Sequence, residues 1–309
     1  MRNRLLIFSL FLLAARISFS QDMYFNCFQR ALLYNNPAFT GTSGQLRVQT
    51  AGNYLWPGSV NYFIGYGSVD HYLGGRSSLG LTYSYQNENS FYLKYDCGIS
   101  YAQRFFLFKK KLIFQPAVRT SYCQSKVNWG SQQYRTEVDS LKGFVNEPIE
   151  VPGLSKKSNL DLSAGFLLYT KQFYFGYSVL HITQPDEGML ASSKLPMRMG
   201  IQTAYQIALD KQWMLIPALQ YTKQEDLQFG SVGISCMYKK WIAGLNYSTN
   251  RSLSISAGWQ NERFKAGISH SVFLKGVPYS ATYGAYELNL SFLFFNQDKE
   301  KKFISIQGF

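Results

Sequence analysis

The chain has 309 residues, 46% hydrophobic, 17% aromatic and 16% charged, with a formal net charge of +13. Its mean hydropathy of −0.16 excludes a polytopic helical membrane protein, which needs repeated apolar runs of about 20 residues. The aromatic content excludes disorder. What remains is a large all-β or mixed soluble protein, or a barrel whose apolar residues are diluted by alternation. The aromatic excess favours the barrel, which carries aromatic girdles at both membrane interfaces.

Residues 1–20 read as a signal peptide. Arg2 and Arg4 form a basic start, Leu5 to Ala15 an apolar core, and Ser18-Phe19-Ser20 a cleavage site before Gln21. The apolar core is about half the length of a membrane span, so export is expected in preference to anchoring. Cys27 follows Tyr24-Phe25-Asn26, which is not a lipoprotein box. Arg2, Arg4 and Arg16 leave with the signal, and the mature chain keeps a charge of about +10. A basic balance often means nucleic acid. An exported chain rarely meets any, so no nucleic acid is expected and the charge is assigned to acidic outer-membrane lipid or to protein partners.

Residues 21–44 show no alternation. Met23, Tyr24, Phe25, Phe28, Ala31, Leu32 and Leu33 suit a short amphipathic helix ending before Asn35-Asn36-Pro37, because the Asn-Pro step starts turns. This segment is expected either inside a barrel mouth or in the periplasm.

Residues 45–295 resolve into period-2 stretches. Leu253, Ile255, Ala257 and Trp259 alternate with Ser252, Ser254, Ser256 and Gly258, while Tyr286, Leu288, Leu290 and Phe292 alternate with Glu287, Asn289 and Ser291. Successive side chains point to opposite faces, and here the second face is small and polar, as in a wet lumen. The reading is all-β: a transmembrane antiparallel up-and-down barrel of about fourteen strands. They fall near 45–52, 59–69, 78–87, 92–105, 111–123, 159–170, 172–182, 197–209, 212–222, 228–238, 241–248, 252–260, 263–270 and 282–295. Residues 296–309 form a polar tail. With both termini periplasmic, the short inner turns are basic, as at Lys109-Lys110-Lys111 and Lys239-Lys240. The outer connections include the longest, 124–158, and a second at 184–196.

By parity Arg47, Lys94, Asp96, Arg104, Arg119, Asp161, Lys265 and Glu287 face inward. Rings of charge tune ion selectivity, but mixed signs equally suit internal pairs in a closed lumen. Parity also puts Cys97 and Cys123 on opposite faces, so the four cysteines are read as unpaired.

Several stretches together resemble the PorP/SprF family, outer-membrane proteins associated with the type IX secretion system of Bacteroidetes. They are Asn36-Pro37-Ala38-Phe39-Thr40-Gly41, Trp56-Pro57-Gly58 with Ser68-Val69-Asp70, Phe173-Tyr174-Phe175-Gly176-Tyr177-Ser178-Val179-Leu180-His181-Ile182-Thr183-Gln184-Pro185, Leu195-Pro196, and Gly284-Ala285-Tyr286-Glu287-Leu288. Among them Asn36, Pro37, Gly41, Gly176, Ser178, His181 and Pro185 are expected to be structural. The chain departs from the pattern at Asn53 and Leu55, and in running about fourteen residues past its last strand. The resemblance implies a barrel that helps a secreted or surface adhesin-type protein leave or stay attached. The implied partners are a secreted protein with a C-terminal sorting domain and periplasmic secretion-system components.

Catalysis is not expected. Nucleophilic catalysis needs a base within hydrogen-bond reach and a third group orienting it, and neither Ser178 with His181 nor His270 with Ser271 comes with a nucleophile elbow. Neither a metal nor a cofactor is expected, because ligand-spaced His or Cys clusters are missing. His181 continues the outward series Phe173, Phe175, Tyr177 and Val179 and is read as interfacial. Trp56, Trp129, Tyr134, Phe144 and His181 are the candidate partner-binding residues, since aromatics suit a contact surface. The alternative function is an outer-membrane channel for small solutes.

Overall fold

The computed structural model describes residues 25, 27, 29, 31–58, 61–109, 111–131, 138–139, 143–144, 153–274 and 279–294. Along β1 (Leu46–Leu55), Arg47, Ala51, Asn53 and Leu55 are buried while Thr50 and Tyr54 are exposed. The same alternation runs through β2 (Tyr62–Gly74), β3 (Ser77–Glu88), β4 (Tyr92–Gln103), β5 (Leu112–Val127), β6 (Lys156–Tyr169) and β7 (Phe173–Leu180). It continues through β8 (Arg198–Tyr205), β9 (Trp213–Gln224), β10 (Leu227–Tyr238), β11 (Trp241–Ser248), β12 (Ser252–Gln260), β13 (Phe264–Phe273) and β14 (Ala285–Phe294). Each strand pairs antiparallel with the next, β8 with β9 through Arg198 to Ala204, and β14 closes on β1 from Phe294↔Leu46 to Ala285↔Leu55. The result is a closed fourteen-stranded barrel without a free sheet edge.

Burial is inverted relative to a soluble protein. Leu81, Val118, Leu160, Val232, Ile255 and Ile268 lie exposed on the outer wall, whereas Ser100, Gln115, Asp161, Gln202, Ser254 and Ser271 are buried inside. In a bilayer this is the stable arrangement, because lipid solvates the apolar wall and closure satisfies every backbone group. No helix among the described residues is long and apolar enough to cross a membrane.

Strand number and order match the sequence reading, with shifts at the ends. β2 runs to Gly74 and β5 to Val127, beyond the alternation that marked them, and β14 starts at Ala285 because a helical turn, Tyr279–Thr282, precedes it. β4 and β8 each break once, at Arg104 and Gln206, and resume as Phe105–Leu107 and Ile207–Ala208. The expected amphipathic helix reduces to one turn, Leu32–Asn35, followed by a 3-10 turn at Pro37–Phe39. Met23, Tyr24 and Phe28 lie outside the described residues. Cys97 is exposed on the outer wall and Cys123 buried inside, as parity requires. The end where β1 begins and β14 finishes is called the near end below, and the opposite one the far end.

Candidate functional site

The segment preceding β1 occupies the lumen. Of the two places open to it, the barrel interior is the one adopted. Ala31, Leu32, Leu33, Ala38 and Phe39 are buried, and Phe39 meets Tyr174 edge to face at 5.2 Å. Asn36 is the pivot. Its Oδ1 accepts from the Ala38 N–H at 2.9 Å, capping the 3-10 turn, and its Nδ2 donates to the carbonyls of Phe166 and Tyr177, both at 3.3 Å. Two glycines make room for this amide. A Cβ on Gly165 would fall 2.4 Å from Asn36 Oδ1, and one on Gly176 would fall 2.9 Å from Asn36 Nδ2. Pro37 sits at the first position of the turn, where its missing N–H costs nothing.

The rest of the segment is held in the same way. Ser178 Oγ donates to the Asn35 carbonyl at 2.8 Å and Arg198 donates to Asn35 Oδ1 at 2.8 Å. Gln115 Nε2 donates to the carbonyls of Ala38 and Thr40, both at 2.8 Å, while its Oε1 accepts from Arg104 and Tyr169. Gly41 takes φ +72°, its N–H donates to Asp70 Oδ2 at 2.7 Å, and its carbonyl accepts from Arg104. A side chain there would meet Ser78 as well as an unfavourable backbone. Arg47 pairs with Asp70 at 2.8 Å and also donates to the Phe39 carbonyl. Deeper in, the Cys27 N–H donates to Glu287 at 3.0 Å. Hydrogen bonds from buried charged groups are the strong ones, so the plug is tied to most of the circumference. Asn36, Pro37, Gly41, Gly176 and Ser178 thus share one interface between plug and wall.

Above the plug a small cavity of about 50 Å³ is lined by Tyr34, Tyr66, Lys94, Arg119, His181 and Arg198 among others. Its charges are paired, Arg119 with Asp96 and Lys94 with Glu187. Of the inward charges read from the sequence, Arg47, Lys94, Asp96 and Arg119 are inside in ion pairs and Asp161 is bound to His181. Arg104 donates to Gln115 and the Gly41 carbonyl, Glu287 accepts from the Cys27 N–H and Ser269, and Lys265 faces the near end of the lumen. His181 departs from expectation. Its φ is +58°, the strand's alternation ends there, and the ring turns inward to Asp161 at 2.7 Å, leaving the residue 8% exposed. It is buried, and not interfacial as the outward series suggested.

At the far end two loops join. The Trp129 indole N–H donates to the Leu154 carbonyl at 3.2 Å, and the Leu154 N–H donates to the Met189 carbonyl at 3.0 Å. The 181–197 loop folds back on itself. Asp186 bridges to Lys194, the Leu195 N–H donates to the carbonyl of buried Pro185, and Glu187 reaches into the barrel to Lys94 at 2.7 Å. The Lys157 ammonium beside Asp186, with the N–H groups of Ser193 and Gly188, holds that carboxyl well below the usual carboxylate range. Leu154 and Leu190 stand 58% and 75% exposed, on the two loops that the Leu154–Met189 bond joins. A Cβ on Gly153 would lie 2.7 Å from the Leu190 side chain. Trp56, with φ +52°, packs between Tyr62 and Phe273 across the opposite rim. Tyr134 lies outside the described residues, and Phe144 is described only as backbone in a two-residue pairing with Val138–Asp139.

The near end differs in charge. On the β9–β14 side of the plug a chamber of about 840 Å³ opens, lined by Arg47, Lys239, Lys240, Arg263 and Lys265 with Glu262, and by several amides. Among the described residues there is no group of His, Cys, Asp or Glu able to hold a metal. Sequence reasoning missed Asp70, Gln115, Gly165 and Arg198 as plug contacts. Parity placed such residues inside, yet only the path of residues 31–42 shows what they bind.

Residues 17–292 match the family described as type IX secretion system membrane protein PorP/SprF. Among solved structures, the chain is similar to the Acinetobacter baumannii outer membrane protein Omp33, at TM-score 0.49 and 10% identity, covering 82% of this chain and 100% of that one. A Pseudomonas aeruginosa FadL homologue matches at TM-score 0.47 and 11% identity, over 86% and 94% of the two chains. No curated protein matches.

Proposed function

The chain belongs to the PorP/SprF family of type IX secretion system membrane proteins, and from that premise we infer that it docks an exported protein at its far end. It is an outer-membrane barrel, and its far end would face the cell exterior. The exported protein would present its C-terminal sorting domain to the loops around Trp129, Leu154 and Leu190, which would hold it during export or attachment. The observation that carries this reading is the exposed Leu154–Leu190 pair, fixed by backbone bonds between two loops above a filled lumen. Exposed apolar groups on ordered loops are contact surfaces. The plug supports docking over the small-solute channel, because residues 31–42 occupy the lumen and are bonded to its wall. The proposed role is protein contact, without catalysis.

The test is affinity purification of the tagged protein from native outer membranes after mild crosslinking, read by mass spectrometry. Recovery of a secreted protein's C-terminal domain, lost in Leu154→Asp/Leu190→Asp with the barrel intact, is the expected result. Equal recovery by that variant would overturn the assignment to these loops. A steady, cargo-independent conductance of the wild-type protein in planar bilayers would replace docking with the channel.

A further inference from the structure

The near-end chamber is a second site, separated by the plug from the far-end surface. Its lining carries five cations against one carboxylate, Glu262. Arg47 is spoken for by Asp70, but among the described residues no side-chain partner meets Lys240 or Lys265. Lys265 lies on β13 facing the lumen, opposite Gln260 and Ser291 in the two neighbouring strands. A surplus of ammonium groups without counter-charges around an open chamber sets up a positive potential there, so the arrangement is that of a site suited to a negative ligand. The volume of about 840 Å³ lies in the range of binding pockets and far above the needs of one small ion.

The neutral lining narrows the ligand. The amides of Gln45, Gln49 and Gln260 border the chamber. A bare anion uses only the cations of such a wall, whereas a peptide main chain offers N–H and C=O groups to its amides as well. Asn261, Asn289 and Ser291 add further groups able to pair with a main chain. Lys265 stands deep in the chamber, while Lys239, Lys240 and Arg263 ring its mouth at the turns, so carboxylates spaced along one extended segment would meet cations at both depths. We propose that this chamber binds an acidic peptide segment, a loop or terminus rich in Asp and Glu, from a protein on the near side of the membrane.

The experiment uses the purified full-length protein in uncharged-lipid nanodiscs and a fluorescent Asp/Glu-rich octapeptide, followed by anisotropy. Saturable binding that weakens with salt is expected. It should fall about tenfold in Lys265→Gln, the loss of one charge-assisted bond, and be kept in Lys265→Arg. Lys156→Gln, at the far end, should bind as wild type. Retention of the barrel's heat-resistant gel mobility verifies that each variant is folded. No saturable binding, or an affinity unchanged in Lys265→Gln, overturns the proposal. Displacement by inorganic phosphate at the peptide's own concentration overturns it in favour of a small-anion site, and binding that appears only when anionic lipid is added overturns it in favour of headgroups. Because no cargo is present, failure here leaves the far-end reading untouched, and failure of cargo capture leaves this site untouched.

Discussion

Asn36 and Gly165 form a pair that can be tested as a pair. Gly165→Ala would push a methyl to within 2.4 Å of Asn36 Oδ1 and 2.9 Å of the Tyr177 carbonyl, a clash that must move the plug. Asn36→Ala removes one cap and two donors, and urea unfolding of the reconstituted barrel should show a loss of about 1–3 kcal/mol. In the double variant the amide is already gone, so the second substitution should cost less than it does alone. Strictly additive losses would mean the contact carries no energy. Asp186 gives a pH test. Its folded pKa is depressed, chiefly by the Lys157 hydrogen bond, so its contribution is present above the unfolded value near 4 and is lost as pH falls below it. Limited proteolysis of the 181–197 loop should therefore be constant from pH 8 to 5 and speed up under stronger acid, with Asp186→Asn cut faster already at neutral pH. Parity in the sequence placed Arg47, Lys94, Asp96 and Glu287 inside. It could not place Asp186 or the His181 ring, because both lie where the chain leaves the ladder and its alternation stops.

At the scale of elements, the strands were legible because each must show lipid one face and the lumen another, which writes a period of two into the sequence. The strand ends were less so: β2 loses its alternation after Asp70 while still paired with β3, and β5 keeps its burial pattern to Val127 through polar residues such as Ser125 and Lys126 that do not mark an apolar face. The plug was legible as a segment and not as a position. Its residues are Asn, Pro, Ala, Phe, Thr and Gly in an aperiodic run, and what fixes them is chiefly a set of distant partners, from Asp70, 29 residues beyond Gly41, to Arg198, 163 residues beyond Asn35. Deletion of residues 25–44 should leave a barrel that folds less stably but conducts. In planar bilayers the wild type is expected near baseline and the deletion variant should show steady current. Equal conductance of the two would mean that the segment does not seal the lumen.

The whole molecule is an inside-out fold, and its two ends differ in kind: mixed in charge, loop-bearing and tied together at one, basic and short-turned at the other. This asymmetry predicts orientation. Asp226→Cys, in a far-end turn, should react with a membrane-impermeant maleimide on intact cells, whereas Lys211→Cys, in a near-end turn, should react only after the outer membrane is breached. The native thiols interfere little, because Cys27 and Cys123 are buried and Cys97 and Cys236 are on the lipid-facing wall. The opposite labelling would invert both sites assigned above. The plug has a last consequence, for how such a wall is put together. Residues 31–42 emerge from synthesis before any strand, yet their bonds reach β2, β5, β6, β7 and β8 around the ring, and the Cys27 N–H reaches β14 across 260 residues. The closed seam between β14 and β1 thus encircles a segment that is itself bonded to strands on both sides of it. A ring of twelve or sixteen strands would carry Gln115 away from Ala38, or Phe166 and Tyr177 away from Asn36. The number fourteen is thus matched from within, by a mandrel that the chain supplies itself.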